Sequence, residues 1–309
     1  MALAVSTLAH SSESGSRGPA GRKPEVATCV YTCLLNGYED LNEQPVSSES
    51  AVDFICFTDD SDLVSDSWSL RPVKPLFGAD PARSQRHIKI CADRVLAEYD
   101  VSLYIDNSVI LTQPPEVLIE ALLPDDGKLA LFEHSFRETV RDEFSEVVKL
   151  GLDAETVCRE QEEHYDSVDA DSLDEKPLWS GLLLRRHNDP RVIEAMNTWH
   201  AHVLRYSHRD QLSIGYALRS TGVTPSVHSL DIFESPFHRW PVISRRDRDR
   251  AGMSAVRSLE RTLADERAER VRMERELQAL RATRSWRWTA PFRIARRGPV
   301  DRRRRGDAL

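Results

Sequence analysis

A mostly parallel α/β sheet with helices on both faces is the architecture this sequence predicts. Short β-branched and aromatic runs alternate with helical segments, those runs read as buried on both faces, and residues 82–99 carry a continuous apolar stripe. The chain has 309 residues, 40% hydrophobic and 30% charged, enough for one sizeable core and too polar for a membrane-embedded protein. No run approaches the ~18 apolar residues of a spanning helix.

Ala27–Leu35 and Val52–Thr58 read as buried strands. In Ala82–Tyr99 the apolar residues Ile88, Cys91, Ala92, Val95, Leu96 and Tyr99 fall on one helical face. Val101–Ile105 follows as a strand ending at Asp106, then Pro115–Leu123 as a helix with proline in its first turn, then Lys128–Glu133 as a strand. Residues 136–165 are expected to be helical, acidic and weakly patterned, an irregular excursion over the active site. Leu178–Arg185 is a strand. Asp189–Leu204 opens with an N-cap Asp and a Pro at the first helical position, and a further helix from about Arg209 to Ser220 is closed by Gly222.

The flanks differ from this body. Ser11–Lys23 is Ser/Gly-rich with nothing to pack, so residues 1–24 are expected to form a disordered lead to a domain over residues 25–241. Ala251–Ala282 has good helix formers and a thin apolar stripe, so 251–283 fits a charged helix docked on the body or a coiled-coil homodimer. Residues 284–309 form a basic aromatic tail. Residues 241–309 hold 20 Arg, no Lys and 10 Asp or Glu, a net of +10, which leaves −18 on residues 1–240 for the chain's total of −8. An acidic body argues against a nucleic-acid partner, because phosphate neutralisation needs basic surface at the site. The tail, over 284–305, suits an anionic membrane or the acidic body itself. Five cysteines without C-x-x-C spacing read as buried reduced thiols, hence a cytoplasmic protein, with the tail placing it at the inner face of a membrane.

Ligands of open α/β sheets bind beyond the carboxyl ends of strands. There the second strand runs into Thr58, Asp59 and Asp60, and the third into Asp106, Asn107 and Ser108. A carboxylate at a strand tip can hold a divalent metal, although capping a turn is a commoner use of it. Arg83, Arg86, His87 and Lys89 crowd the start of a helix whose dipole is already positive, which a bound anion would compensate. No G-x-x-x-x-G-K-[ST], G-x-G-x-x-G or G-x-S-x-G occurs, which disfavours P-loop, dinucleotide and α/β-hydrolase chemistry.

The segments CVYTCLLNGYEDL, DFICFTDD, ARSQRHIKICADRVLAEYDVSLYIDNSVIL, PLWSGLLLRRHNDP and SHRDQLSIGYAL carry a resemblance. In order and spacing they are similar to glycosyltransferases of the GT-A fold, closest to a glycosyltransferase-like family of bacterial polysaccharide loci and plant mucilage-related proteins. The likeness covers about residues 26–240; its most specific parts are R-x-x-K followed by Y-I-D-x-S, and R-D-Q-L-S. It implies transfer of a sugar from an NDP-sugar donor to a glycan or lipid-linked acceptor, with the alternative of an inactive scaffold in a polysaccharide-assembly complex. Thr58, Asp59 and Asp60 would face the nucleotide, Arg83, Arg86 and Lys89 the diphosphate, and Ser180 and Gly181 the sugar. Asp210 and Gln211 would face the transferred sugar, Asp210 either deprotonating the acceptor or steadying an oxocarbenium-like centre. Asp106, Ser108 and His228 would hold Mn²⁺ or Mg²⁺, with contact to the donor ribose as the alternative for Asp106. Ser108 stands where the family's motif has a second Asp, and a hydroxyl is a poor ligand for these ions beside a carboxylate.

Overall fold

A computed structural model describes residues 26–37, 39–242, 270, 272 and 273. The expected lead at 1–24, the tail at 284–309 and nearly all of the charged helix at 251–283 lie outside the described residues.

In chain order the elements are β1 (Thr28–Leu34), β2 (Asp53–Thr58), β3 (Ser69–Pro72), α1 (Pro81–Ile90), β4 (Val101–Ile105), β5 (Ile110–Leu111), α2 (Pro115–Leu122), β6 (Leu129–Glu133), α3 (Val140–Lys149), α4 (Glu155–Asp169), α5 (Asp171–Asp174), β7 (Leu178–Arg185), α6 (Pro190–Arg205), α7 (Gln211–Thr221), β8 (Ser226–His228) and β9 (His238–Arg239). Seven strands form one sheet in the order β3-β2-β1-β4-β7-β6-β8, and β5 pairs with β9 in a small ribbon. Within the seven-stranded sheet only β7 runs against its neighbours, antiparallel to β4 and β6, and the other pairings are parallel; β5 and β9 are antiparallel. The mostly parallel α/β sheet is therefore as expected.

Strand alternation assigns the two cores. On β1, Cys29, Tyr31 and Cys33 face a core shared with Ile88 and Ile90 of α1, Trp199 of α6 and Ile214 of α7. Val30 and Leu34 face the opposite core, with Leu118 and Leu122 of α2. A third cluster joins Phe144 of α3, Tyr165 of α4 and Leu212 of α7, so residues 136–165 form two packed helices with a core of their own. A capping box fixes the first of them, Thr139 and Asp142 exchanging side-chain and backbone hydrogen bonds.

The apolar stripe of residues 82–99 does not make one long helix. After Ile90 the chain turns through a short 3₁₀ segment, Ala92–Arg94. The carbonyl of Lys89, which a continuing helix would offer to the fourth residue on, instead accepts from the Tyr31 hydroxyl at 2.6 Å and from the buried guanidinium of Arg185. Tertiary donors thus end the helix. Elsewhere the signals hold: Asp189 caps α6 through the Arg191 N–H at 2.9 Å, and Gly222 closes α7 in the left-handed region at φ 67°.

Candidate functional site

The reversed direction of β7 builds the site. Because it is antiparallel to β4, its beginning, not its end, lies beside the carboxyl end of β4, and the Asp106 N–H donates to the Gly181 carbonyl at 2.9 Å. Ser180 and Asp106 thereby share one sheet edge. Across it stands α1, capped by Asp80, whose side chain accepts from the Arg83 N–H. Gln85, Arg86 and Lys89 fall on one face of α1, toward a cavity of about 380 Å³ that Gln85 and Arg86 line with Asp106, Ser108, Trp179, Ser180, Gly181, Arg209, Asp210 and Gln211. That volume lies in the range of small-molecule sites. A larger hollow of about 860 Å³, which shares Gln211 with this cleft, contains Arg219, but its guanidinium is taken by Asp169 at 2.9 Å and Glu175 at 2.6 Å.

Lys89 is 1% exposed, with Nζ 2.7 Å from Asp210 Oδ2, 3.0 Å from Ser180 Oγ and 3.6 Å from Asp106 Oδ1. Arg86 Nε stands 3.2 Å from Asp210 Oδ1. Asp106 also accepts from the Tyr104 hydroxyl at 2.9 Å. Burial would raise the pKa of Asp210, but Arg86 and then Lys89 outweigh it and hold this carboxyl well below the ordinary range. The Arg86 pKa is raised in turn: burial opposes its charge, but Asp210 and Asp106 more than offset it. Asp210 is the N-cap residue of α7, yet its side chain makes no capping bond. Its carboxylate is turned to the two cations, while the Leu212 and Ser213 N–H groups donate to the carbonyls of Arg209 and Asp210.

Two buried donors in this cleft, Arg209 Nε and Gln211 Nε2, have no hydrogen-bond partner among the described residues, while Arg86 Nε keeps its 3.2 Å ion pair with Asp210. A buried donor without a partner costs about 1–3 kcal/mol, so a ligand or solvent must meet them. They converge with Lys89 and the start of α7, and an anion is the partner such a set accepts. Sequence reasoning passed over Arg209, although it opens the R-D-Q-L-S motif.

The expected site residues divide. Asp106, Ser108, Arg86, Ser180, Gly181, Asp210 and Gln211 line the cleft, with Lys89 beneath. Arg83 does not: its guanidinium donates to Asp80 at 2.6 Å, to the Val203 carbonyl at 3.0 Å and to the Tyr206 carbonyl at 2.7 Å, tying α1 to the end of α6. His228 is also elsewhere, on edge strand β8, with Nε2 2.9 Å from the Leu122 carbonyl. At the end of β2, Thr58 is buried, and the Asp59 side chain accepts from the Asn36 N–H at 2.8 Å; neither lines this cavity. Asp60 caps its own turn through the Asp62 N–H at 2.9 Å.

Gly181 is explained by its neighbour. A Cβ there would meet Trp179 Cζ2 at 2.3 Å, so the indole lies across the glycine. Trp179 is edge-on to Trp240 at 5.5 Å, Trp240 stacks on Phe233 at 5.5 Å, and Phe233 stacks on Phe136 at 5.5 Å. Phe136, Trp179 and Trp240 give the cleft an aromatic wall.

The donor set does not make a divalent-metal site by itself. Asp106 is one carboxylate with a lysine 3.6 Å away, Ser108 Oγ accepts from Trp240 Nε1 at 3.1 Å, and His228 is remote from the cavity. Lys89 and Arg86 put positive charge beside Asp106 without one.

Residues 57–240 match the TOD1/MUCI70 glycosyltransferase-like domain, and the chain belongs to that family. Among solved structures it is similar to the apo form of WbbM, a bifunctional glycosyltransferase, at 9% identity and TM-score 0.38 over 68% of this chain and 40% of that one. It is also similar to mouse xyloside xylosyltransferase 1 in its apo form, at 10% identity and TM-score 0.41 over 67% and 86%. The chain thus spans 40% of the length of the first. No curated protein matches it. Among the described residues, no helix is long and apolar enough to cross a membrane.

Proposed function

We propose that this chain is a glycosyltransferase that binds the diphosphate of an NDP-sugar against Arg86, Arg209, Gln211 and Lys89 and transfers the sugar to a glycan or lipid-linked acceptor. The observation that carries the reading is the convergence of two unpartnered buried donors, Arg209 Nε and Gln211 Nε2, with the cations Arg86 and Lys89 at the start of α7. As the bond to the anomeric carbon breaks, negative charge grows on the departing diphosphate. Fixed cations and N–H donors in a partly closed cleft stabilise that charge without reorganising. The aromatic wall of Phe136, Trp179 and Trp240 offers apolar faces to a sugar ring.

Of the two roles left open for Asp210, its low pKa favours the electrostatic one. A carboxylate held this far below the ordinary range is a weak base at neutral pH. Its 2.7 Å ion pair holds Lys89 against Ser180 and Asp106, so Asp210 is a positioning residue. No metal enters this account, because the cations occupy its place.

A second reading, an inactive scaffold, draws on one observation: Ser108 stands where a metal-binding motif has a carboxylate and is engaged by Trp240. A thermal-shift and turnover screen of UDP-, GDP- and dTDP-sugars, with and without Mn²⁺, separates the two. Stabilisation by one sugar nucleotide with slow release of its sugar supports the transferase. Stabilisation without any turnover, even with lipid-linked acceptors, supports the scaffold, and no stabilisation at all removes the donor site. The cytoplasmic inner face, membrane contact through 284–305 and pairing through 251–283 belong to the same proposal, supported by the charge contrast between body and tail.

A further inference from the structure

On the side of α1 turned toward α6, three metal-ligating side chains meet. His87 and Cys91 stand four residues apart on adjoining turns, the Cys at the helix's C-cap, and His200 of α6 faces them. One ligating atom from each lies within 4.8 Å of the others, and among the described residues no other group of three His, Cys, Asp or Glu does this. His87 Nδ1 and His200 Nε2 are 3.3 Å apart. Two imidazole nitrogens on a tetrahedral zinc ion, at Zn–N of about 2.0–2.1 Å, stand about 3.3–3.4 Å apart. The histidine pair therefore has the separation of two zinc ligands, and Cys91 Sγ lies within 4.8 Å of a ring nitrogen of each histidine as a third donor.

We propose that His87, Cys91 and His200 form a Zn²⁺ site that staples α1 to α6, with the fourth position left to solvent. Nitrogen and sulfur donors select zinc over Mg²⁺ or Mn²⁺. Cys91 and His200 are buried, whereas His87 is half-buried and leaves a way in. A nearby cation, Arg94, donates to Asn197 Oδ1 at 2.8 Å. None of the three residues lines the sugar-nucleotide cleft, so the proposal does not rest on the reading of that cleft. The consequence reaches it nonetheless: Arg86 and Lys89 flank His87 on the same helix, and a metal clamp would hold the helix that carries them. Without it, Arg83 makes the side-chain hydrogen bonds from α1 to the end of α6, to Val203 and Tyr206.

The test is a titration of untagged, chelator-treated full-length protein with Zn²⁺, followed calorimetrically and by thermal melting, with Co²⁺ as a spectroscopic substitute. One equivalent should bind and raise the melting temperature, since an ion that binds only the folded state stabilises it by mass action. Cys91→Ser and His200→Gln should each weaken binding at least about 10-fold, since even an outer-shell partner of a metal ligand costs that much when lost. Asp106→Asn should leave it unchanged. The Co²⁺ protein should show a thiolate-to-metal charge-transfer band, which needs no variant to be informative. Absence of a stoichiometric site, absence of the thiolate band, or wild-type affinity in both ligand variants would overturn the proposal.

Discussion

Neutralising Asp210 leaves Lys89 and Arg86 as buried charges without their shared partner. Removing one member of a buried ion pair costs about 3–5 kcal/mol, so Asp210→Asn should lower stability by that order while the chain still folds. Its pH dependence follows from the depressed pKa. In the unfolded chain the carboxyl titrates near its ordinary value of about 3.9, and in the folded chain below it. The stabilisation is therefore fully present above about pH 4 and is lost as pH falls further, through the folded pKa. Acid melts of wild type and Asp210→Asn should converge as pH drops below 4; parallel curves would show that Asp210 is not held by the two cations. His134 gives the complementary case. Burial, then Arg137 and Lys176, lowers its pKa to about 3, and its Nδ1 accepts from the Arg137 N–H at 3.2 Å. Stability should decline as pH falls from about 6.5, where the unfolded histidine protonates, toward 3. A ring resonance titrating near 6.5 in the folded protein would contradict this. At this scale the sequence could name Asp210, Arg86 and Lys89 but could not rank the cations. Spacing put Arg83 with them, while the carbonyls that capture it belong to α6, 120 and 123 residues away.

The strand β7 shows what a single element contributes. Its glycine lets Trp179 fold back over the strand and form one wall of the cleft. Gly181→Ala should therefore displace the indole and cost about 1–3 kcal/mol by overpacking, with a change in tryptophan fluorescence. An unchanged emission spectrum would mean that the ring does not lie there. The direction of β7 was not legible, because a strand buried on both faces has the same pattern read either way. Its existence and span were. Similarly, the stripe over residues 82–99 shows which face is apolar but cannot show that Arg185 and Tyr31 arrive to take the Lys89 carbonyl and end the helix. The edge strand β3 left no signal at all: four residues, none buried, with Pro72 among them.

For the whole molecule the governing contrast is charge, −18 on residues 1–240 against +10 on residues 241–309. Trp286, Trp288, Phe292 and Ile294 lie among five arginines in 284–297, a composition suited to an anionic bilayer surface. Co-sedimentation with anionic vesicles should therefore need the tail and fade with salt, and a chain ending at Ala282 should stay in the supernatant. Equal behaviour of the two chains would assign the tail to the acidic body instead. The family and the sheet were readable from motif order, whereas the unpartnered donors emerge only when β4, β7, α1 and α7 are brought to one edge.

The central claim, that the cleft is built for a diphosphate, is tested most directly by calorimetric titration of a nucleoside diphosphate and its free nucleoside in the presence of a chelator. The measurement compares wild type with Arg86→Gln and Arg209→Gln. A hydrogen bond to a charged group contributes about 1.5–3 kcal/mol, so each variant should bind the diphosphate at least about 10-fold more weakly. Affinity for the nucleoside should hardly change. Equal affinity of wild type for the two ligands, or variants that keep full affinity for the diphosphate, would contradict the account.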